Sequence, residues 1–173
     1  MRLAPLSDAL VKEVFGDPTP FMRPDGTVDH AWEAEILEYV VLPAPLPLSW
    51  NRAQHASRLK VHRLIAPHLR AALLEIYASP GAWASINDIG GCYEFRRISG
   101  TKSLSRHSWG IAIDWDVRDN PMFGLIPRVH PEVKRIMLQH GFCWGGATIW
   151  GGSFPWRRRD AMHHEFCEIT TLR

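Results

Sequence analysis

The stretch that most constrains this chain is GIAIDWDV, residues 110–117. Ile111, Ile113, Trp115 and Val117 alternate with Gly110, Ala112, Asp114 and Asp116. That period of two belongs to an extended strand with one apolar face and one small or acidic face. The apolar face needs a layer to bury it. The other leaves room beside Asp114, because its neighbours carry almost no side chain. Such room is wasted in a core and useful where something must approach a carboxylate.

The rest of the chain supplies candidate partners for this strand. PLSDALVKEVF (residues 5–15) reads as a short helix capped by Ser7 or Asp8, with Leu6, Leu10 and Val14 at helical spacing. GDPTPFMRPDG reads as turns. VLPAPLPLSW (41–50), with prolines at alternate positions, is expected to be an extended surface strap laid on the core. Residues 57–78 are the best helix candidate, with Leu59, His62, Leu69, Leu73 and Ile76 near one face and Pro67 kinking or dividing it. INDIGGCYEFRRI is strand-like, with a bend or bulge at Gly90-Gly91. HPEVKRIMLQHGF (130–142) is a helix with Pro131 in its first turn and Gly141 at its end. WGGATIWGGSFPW reads as a glycine-rich loop, RRRD (157–160) as a solvated one, and MHHEFCEI as a last strand. The expected architecture is α+β: a small antiparallel sheet flanked by helices.

A length of 173 residues fits a single domain, 1–173, with an N-terminal strap and helix (1–55) ahead of a core (56–173). A net charge of +2 is too mild to demand a nucleic-acid partner, and none is expected. No run approaches the roughly 18 apolar residues of a membrane span, and the N-terminus lacks a signal-peptide pattern. Synthesis in the cytoplasm and a monomeric state are expected. Three widely spaced cysteines, Cys92, Cys143 and Cys167, are expected to be buried free thiols.

The chemistry concentrates in SLSRHSWGIAID (103–114) and DAMHHEF (160–166). His107 lies a short turn ahead of the Asp114 strand, and Ser105 is placed to hold that turn by bonding to backbone. If MHHEF is extended, His163 and Glu165 face one way and His164 the other. His107, Asp114 and His163 then make three protein ligands for one Zn²⁺, the number that leaves a fourth position open. Asp160 is the candidate base for a water whose pKa zinc lowers to about 7. Glu165 is a candidate partner of the ligand histidine. Asp116, on the Asp114 face, and His164, the ligand in the alternative register, are further candidates. His30, His55, His62, His68 and His130 read as structural or surface residues, and His140 with Cys143 as packing at a helix end.

The pattern S-x-H-x-x-G-x-A-x-D at 105–114, followed by D-x-M-H-x-E at 160–165, resembles the zinc peptidases that act on peptidoglycan. These are D-alanyl-D-alanine carboxypeptidases and dipeptidases and L-alanyl-D-glutamate endopeptidases, including phage endolysins. The resemblance runs from about Gly90 to Phe166 and takes in Asn120-Pro121 and GFCWGG. It implies zinc ligation by His107, Asp114 and His163, with Asp160 as catalytic base. It also implies that Arg96, or its neighbour Arg97, holds the developing oxyanion. Aspartate at position 160 is more like the endopeptidase branch. The implied activity is hydrolysis of a stem-peptide bond, L-alanyl-D-glutamate, by a phage-type lysis enzyme that reaches the wall after release. The rivals are a D-alanyl-D-alanine carboxypeptidase, a cytoplasmic recycler of wall peptides, a zinc-stabilised binding module without turnover, and a metal-free virion protein. ATIWGGSFPWRRR, longer than the family's usual connection, is expected to form a pocket rim.

Overall fold

A computed structural model describes residues 3–124, 126–146 and 160–172. The loop expected at 147–159, including the expected pocket rim and most of RRRD, lies outside the described residues. Among the described residues, the order is α1 (Asp8–Phe15), α2 (His30–Ile36), β1 (Leu37–Leu48), β2 (Asn51–His62), α3 (Ala66–Ala78), α4 (Pro80–Ala84), β3 (Ile89–Gly91), β4 (Ala112–Trp115), α5 (Pro131–Gln139), β5 (Phe142–Trp144) and β6 (His163–Phe166). The strands form one six-stranded sheet in the order β2-β1-β3-β4-β6-β5. Every pairing is antiparallel except the β1–β3 contact at Leu48 and Ile89, so the α+β expectation holds with a mixed sheet.

Of the strand expected at 110–117, the four residues Ala112–Trp115 form β4; Ile111 just ahead of it, Ile113 and Trp115 are fully buried. α3 packs on β1, α5 on β5, and α3 against both α4 and α5. Val133, Ile136 and Met137 of α5 and Leu69, Leu73 and Ile76 of α3 join these β4 residues in one core, whose burial drives the packing. α5 begins at Pro131 as expected, with His130 capping the Glu132 N–H, and ends ahead of Gly141 at φ +93°. α1 is capped by Ser7, but Val11 and Phe15 are its buried residues; Leu6 and Val14 pack at the margin.

Several expectations are corrected. Residues 51–62 are strand β2, so the helix candidate at 57–78 begins only at Ala66. Pro67 lies in the first turn of α3, where its missing N–H costs nothing. Leu59 and Val61 are buried between exposed Arg58 and half-buried Lys60, which is the strand period. The proline-rich segment is extended, but as sheet strand β1 with Val40, Leu42 and Leu46 buried, not as a surface strap. Its ladder with β2 breaks between Val41 and Leu46, the stretch holding Pro43 and Pro45, which have no N–H to donate. Residue 55, the expected edge of the N-terminal strap, sits inside β2. INDIGGCYEFRRI contributes only the three residues of β3, with a register shift between Ile89 and Gly91 where the bulge was expected. Ser79-Pro80-Gly81 opens the short helix α4, and α2 was not anticipated.

The thiol expectation is also corrected: Cys143 and Cys167 are disulfide-bonded, with Cα atoms 5.9 Å apart. Antiparallel pairing of β5 with β6 closes a sequence separation of 24 residues that spacing alone does not reveal. Cys92 remains a buried free thiol. None of the helices among the described residues is long and apolar enough to cross a membrane.

His62 locks the α1 end to the sheet. Its Nε2 donates to the Phe15 carbonyl at 3.2 Å, and its Nδ1 accepts from the Leu64 N–H at 3.2 Å. The Nδ1 bond requires the neutral ring, because a protonated Nδ1 cannot accept. Burial, with the Arg63 charge helping and the Phe15 carbonyl opposing, brings its pKa down to about 4 from 6.5. Between those values the unfolded chain binds more protons than the folded one, so stability rises with pH there. The contribution is complete above pH 6.5 and is lost as pH falls toward 4, amounting to about 2 kcal/mol by pH 5 at ~1.4 kcal/mol per pKa unit. In urea melts of the metal-free protein, His62→Gln should lower the slope between pH 6.5 and about 5 by this contribution, leaving that of His164, whose burial acts in the same direction; an equal slope in the variant would remove the assignment.

Candidate metal centre

The turn that carries His107 is a 3-10 helix, Arg106–Trp109, started by Ser105, whose hydroxyl accepts from the His107 N–H at 3.4 Å. Gly110 ends it in the left-handed region at φ +65°. A Cβ there would stand 3.0 Å from the His62 backbone nitrogen, so the glycine of the motif is needed for both conformation and close approach. β4 then pairs with β6 in a register that sets Asp114 opposite His163 and Ala112 opposite Glu165.

Three ligand-type atoms, one each from His107, Asp114 and His163, converge within 4.8 Å of one another. His107 Nε2 lies 3.2 Å from Asp114 Oδ2, and His163 Nδ1 lies 2.9 Å from Asp114 Oδ1. The two imidazole nitrogens are 3.3 Å apart. Each ring is oriented from behind. His107 Nδ1 donates to the Cys92 carbonyl at 2.8 Å, and His163 Nε2 faces Glu165 Oε2 at 3.3 Å. Outer partners of this kind fix which nitrogen points at an ion.

The electrostatics agree with a cation site. Burial would raise the Asp114 pKa, but the imidazoles of His107 and His163 override it and hold the carboxyl well below its usual range. Burial would lower His163, yet hydrogen bonds to Asp114 and Glu165 raise it well above its ordinary value. In this arrangement a proton supplies positive charge that the two carboxylates call for. A divalent ion would supply more. The donor set, two imidazoles and one carboxylate, suits zinc.

The remaining candidates separate clearly. Asp160 opens into the same pocket, a cavity of about 340 Å³ that also includes Arg96, Ser105, Arg106 and Glu165 in its lining. Burial, aided by the Asp114 charge, pushes the Asp160 carboxyl up to about 6 against the pull of His163, His107 and Arg96. Its buried Oδ1 has no hydrogen-bond partner among the described residues. Arg96 lines the pocket and pairs with Glu94 at 2.8 Å, whereas Arg97 bonds to the Lys102 carbonyl and does not line it.

Two expected site residues belong elsewhere. His164 is fully buried outside this pocket's lining, because successive strand residues point to opposite faces; burial lowers its pKa to about 3. Asp116 leaves the strand at φ 48° and turns its carboxylate to the Asn87 and Asp88 backbone N–H groups. It holds a loop, and burial pushes its pKa up to about 6.

Sequence reasoning missed three contributors. Ser108, fully buried, donates to the Arg96 carbonyl at 2.8 Å and accepts from the Arg96 N–H at 3.1 Å, pinning the arginine segment to the His107 turn. Arg106 donates to Asp8 at 2.8 Å and to the Leu6 carbonyl at 2.6 Å, while its Nε stands 3.8 Å from Glu165. The Cys92 carbonyl behind His107 had no sequence signal at all. Serine and arginine beside the motif histidine were the only visible hints of the other two.

Residues 99–166 match the family described as D-alanyl-D-alanine carboxypeptidase. This is the zinc peptidase family whose motifs the chain resembles, and the match covers all three converging groups, Asp160 and Glu165. The match spans less than half of the 173 residues and begins after Arg96. No curated protein and no solved structure gives a match.

Metal affinity can be checked without any substrate. Competition against a chromophoric chelator should show zinc bound by the wild type, with a matching rise in melting temperature. Glu165→Gln should weaken binding roughly 10–100-fold, the usual effect of losing an outer partner, and His163→Ala should weaken it further. Unchanged affinity in His163→Ala would remove this centre.

Proposed function

We propose that residues 1–173 form a single zinc peptidase domain that cleaves the L-alanyl-D-glutamate bond of the peptidoglycan stem as a phage-type endolysin. The observation that carries the reading is the convergence of His107, Asp114 and His163 beside a buried carboxyl, Asp160, in one open pocket. One Zn²⁺ would be held by those three side chains. When bound, zinc supplies Lewis acidity, polarising a carbonyl and making water a better nucleophile at neutral pH.

The chain's own groups account for the rest. Asp160, pushed up to about 6, sits near neutrality and is suited both to take a proton from water and to return it to the leaving amine. The proton comes from the attacking water and ends on the amine nitrogen as the C–N bond breaks. Arg96 offers a fixed cation to the carbonyl oxygen as negative charge grows there. Its pairing with Glu94 is solvent-exposed, hence weak enough to exchange for substrate. Ser108 keeps the arginine segment in place, and Glu165 holds the His163 ring. The enzyme acts as a monomer on the stem peptide.

A D-alanyl-D-alanine carboxypeptidase is the second reading, favoured by the description of the matched family. Digestion of purified sacculi with mass spectrometry of the products separates the two. New L-alanine carboxyl ends with D-glutamate amino ends mark the first, and released terminal D-alanine marks the second. Asp160→Ala should retain zinc and lose about 10²–10⁴-fold in kcat/KM. Undiminished hydrolysis would take the base role from Asp160, and sacculi left intact by the zinc-loaded wild type would sink the peptidase reading.

A further inference from the structure

The pocket beside the candidate centre has two unlike kinds of lining. One is ionic, with Arg96, Asp160 and Glu165. The other is contributed by the turn 121–124, which brings Met122 and Phe123 into the pocket lining together with Ile98. Met122 is 52% exposed and Phe123 is 61% exposed. Phe123 also has φ +64°, a backbone region that bulky residues rarely enter.

This lip stands on a firm base. The Asn120 N–H donates to the Asp116 carbonyl at 2.9 Å, and buried Asn120 also accepts from the Arg128 N–H at 2.7 Å through Oδ1. Gly124 closes the turn onto the Pro121 carbonyl at 2.8 Å. A Cβ at Gly124 would lie 2.9 Å from that carbonyl oxygen, so the tight turn depends on glycine. Two large apolar side chains are therefore presented to water by an anchored turn, one of them from a strained backbone. Strain and exposed apolar surface gathered at the mouth of a reactive pocket point to recognition rather than to folding.

We propose that Met122 and Phe123 form an apolar subsite that selects peptides bearing an aliphatic side chain next to the cleaved residue pair, over peptides of the same length that leave the lip bare. The proposal rests on the peptidase reading of the same pocket. Its occupant is the substrate itself, because the lip is continuous with the lining that holds Asp114, Asp160 and His163. Burying a methylene chain there removes apolar surface of both partners from water.

The test uses the zinc-loaded full chain and two synthetic peptides, L-alanyl-D-glutamyl-norleucine and L-alanyl-D-glutamyl-glycine. The wild type should favour the norleucine peptide by roughly tenfold or more in kcat/KM, the scale of discrimination an apolar pocket achieves. Phe123→Ala should collapse that ratio toward one, mainly through a higher KM for the norleucine peptide, and Phe123→Leu should recover most of it. The ratio of two rates within one preparation is indifferent to how much of a variant is folded. A wild type with no preference, or a preference untouched by Phe123→Ala and Met122→Ala, overturns the subsite and leaves the peptidase reading standing. Failure of the wild type to cleave either peptide or sacculi overturns both.

Discussion

The centre depends on one buried carboxylate and the register that serves it. Asp114 sits between two imidazoles with little water to solvate it, and a buried charge without partners is costly. Its partners come from opposite directions in the fold. His107 arrives on a one-turn helix that ends at Gly110, and His163 arrives across the β4–β6 ladder. Strand side chains alternate, so a slip of one residue along β6 would turn His163 away and offer His164 in its place. The burial of His164 and Phe166 on the opposite face of β6, with Phe166 in the core, opposes such a slip. Packing energy in the core is thus what holds the ligand geometry on the open face.

What the sequence made legible follows from the same logic. Alternation in 110–117 and 162–166 is local and survives into the fold, because β4 and β6 are buried on one face and reactive on the other. The Pro131 and Gly141 boundaries of α5 were readable for the same local reason. β2 was not. Leu59 and His62 also satisfy a helical spacing with Leu69, and only the pairing with β1 decides between the two periods. β1 was hidden by prolines that normally argue against a paired strand; the bulge between Val41 and Leu46 is how the sheet accommodates them. The Cys143–Cys167 bond, the turn of Asp116 out of the strand and the carbonyl behind His107 all depend on contacts between segments distant in sequence. Spacing carries no trace of them.

The family match begins at residue 99, yet the centre draws on much that precedes it. The Cys92 carbonyl orients one ligand ring, Arg96 lines the pocket, and Gly110 is packed against His62 of β2. Arg106 reaches further still. It binds Leu6 and Asp8 at the chain's beginning and stands within 3.8 Å of Glu165, the carboxylate behind His163. The hydrogen-bond acceptors of this mostly buried guanidinium belong to the N-terminal segment, while Glu165 of β6 balances its charge from 3.8 Å without a hydrogen bond. The segment ahead of α1 thus fixes the position of a cation that faces Glu165 across 3.8 Å. The matched segment carries the converging groups, while the preceding residues supply the second sheet edge, the carbonyl behind His107 and the acceptors that hold Arg106, so the candidate centre is built by both portions of the chain.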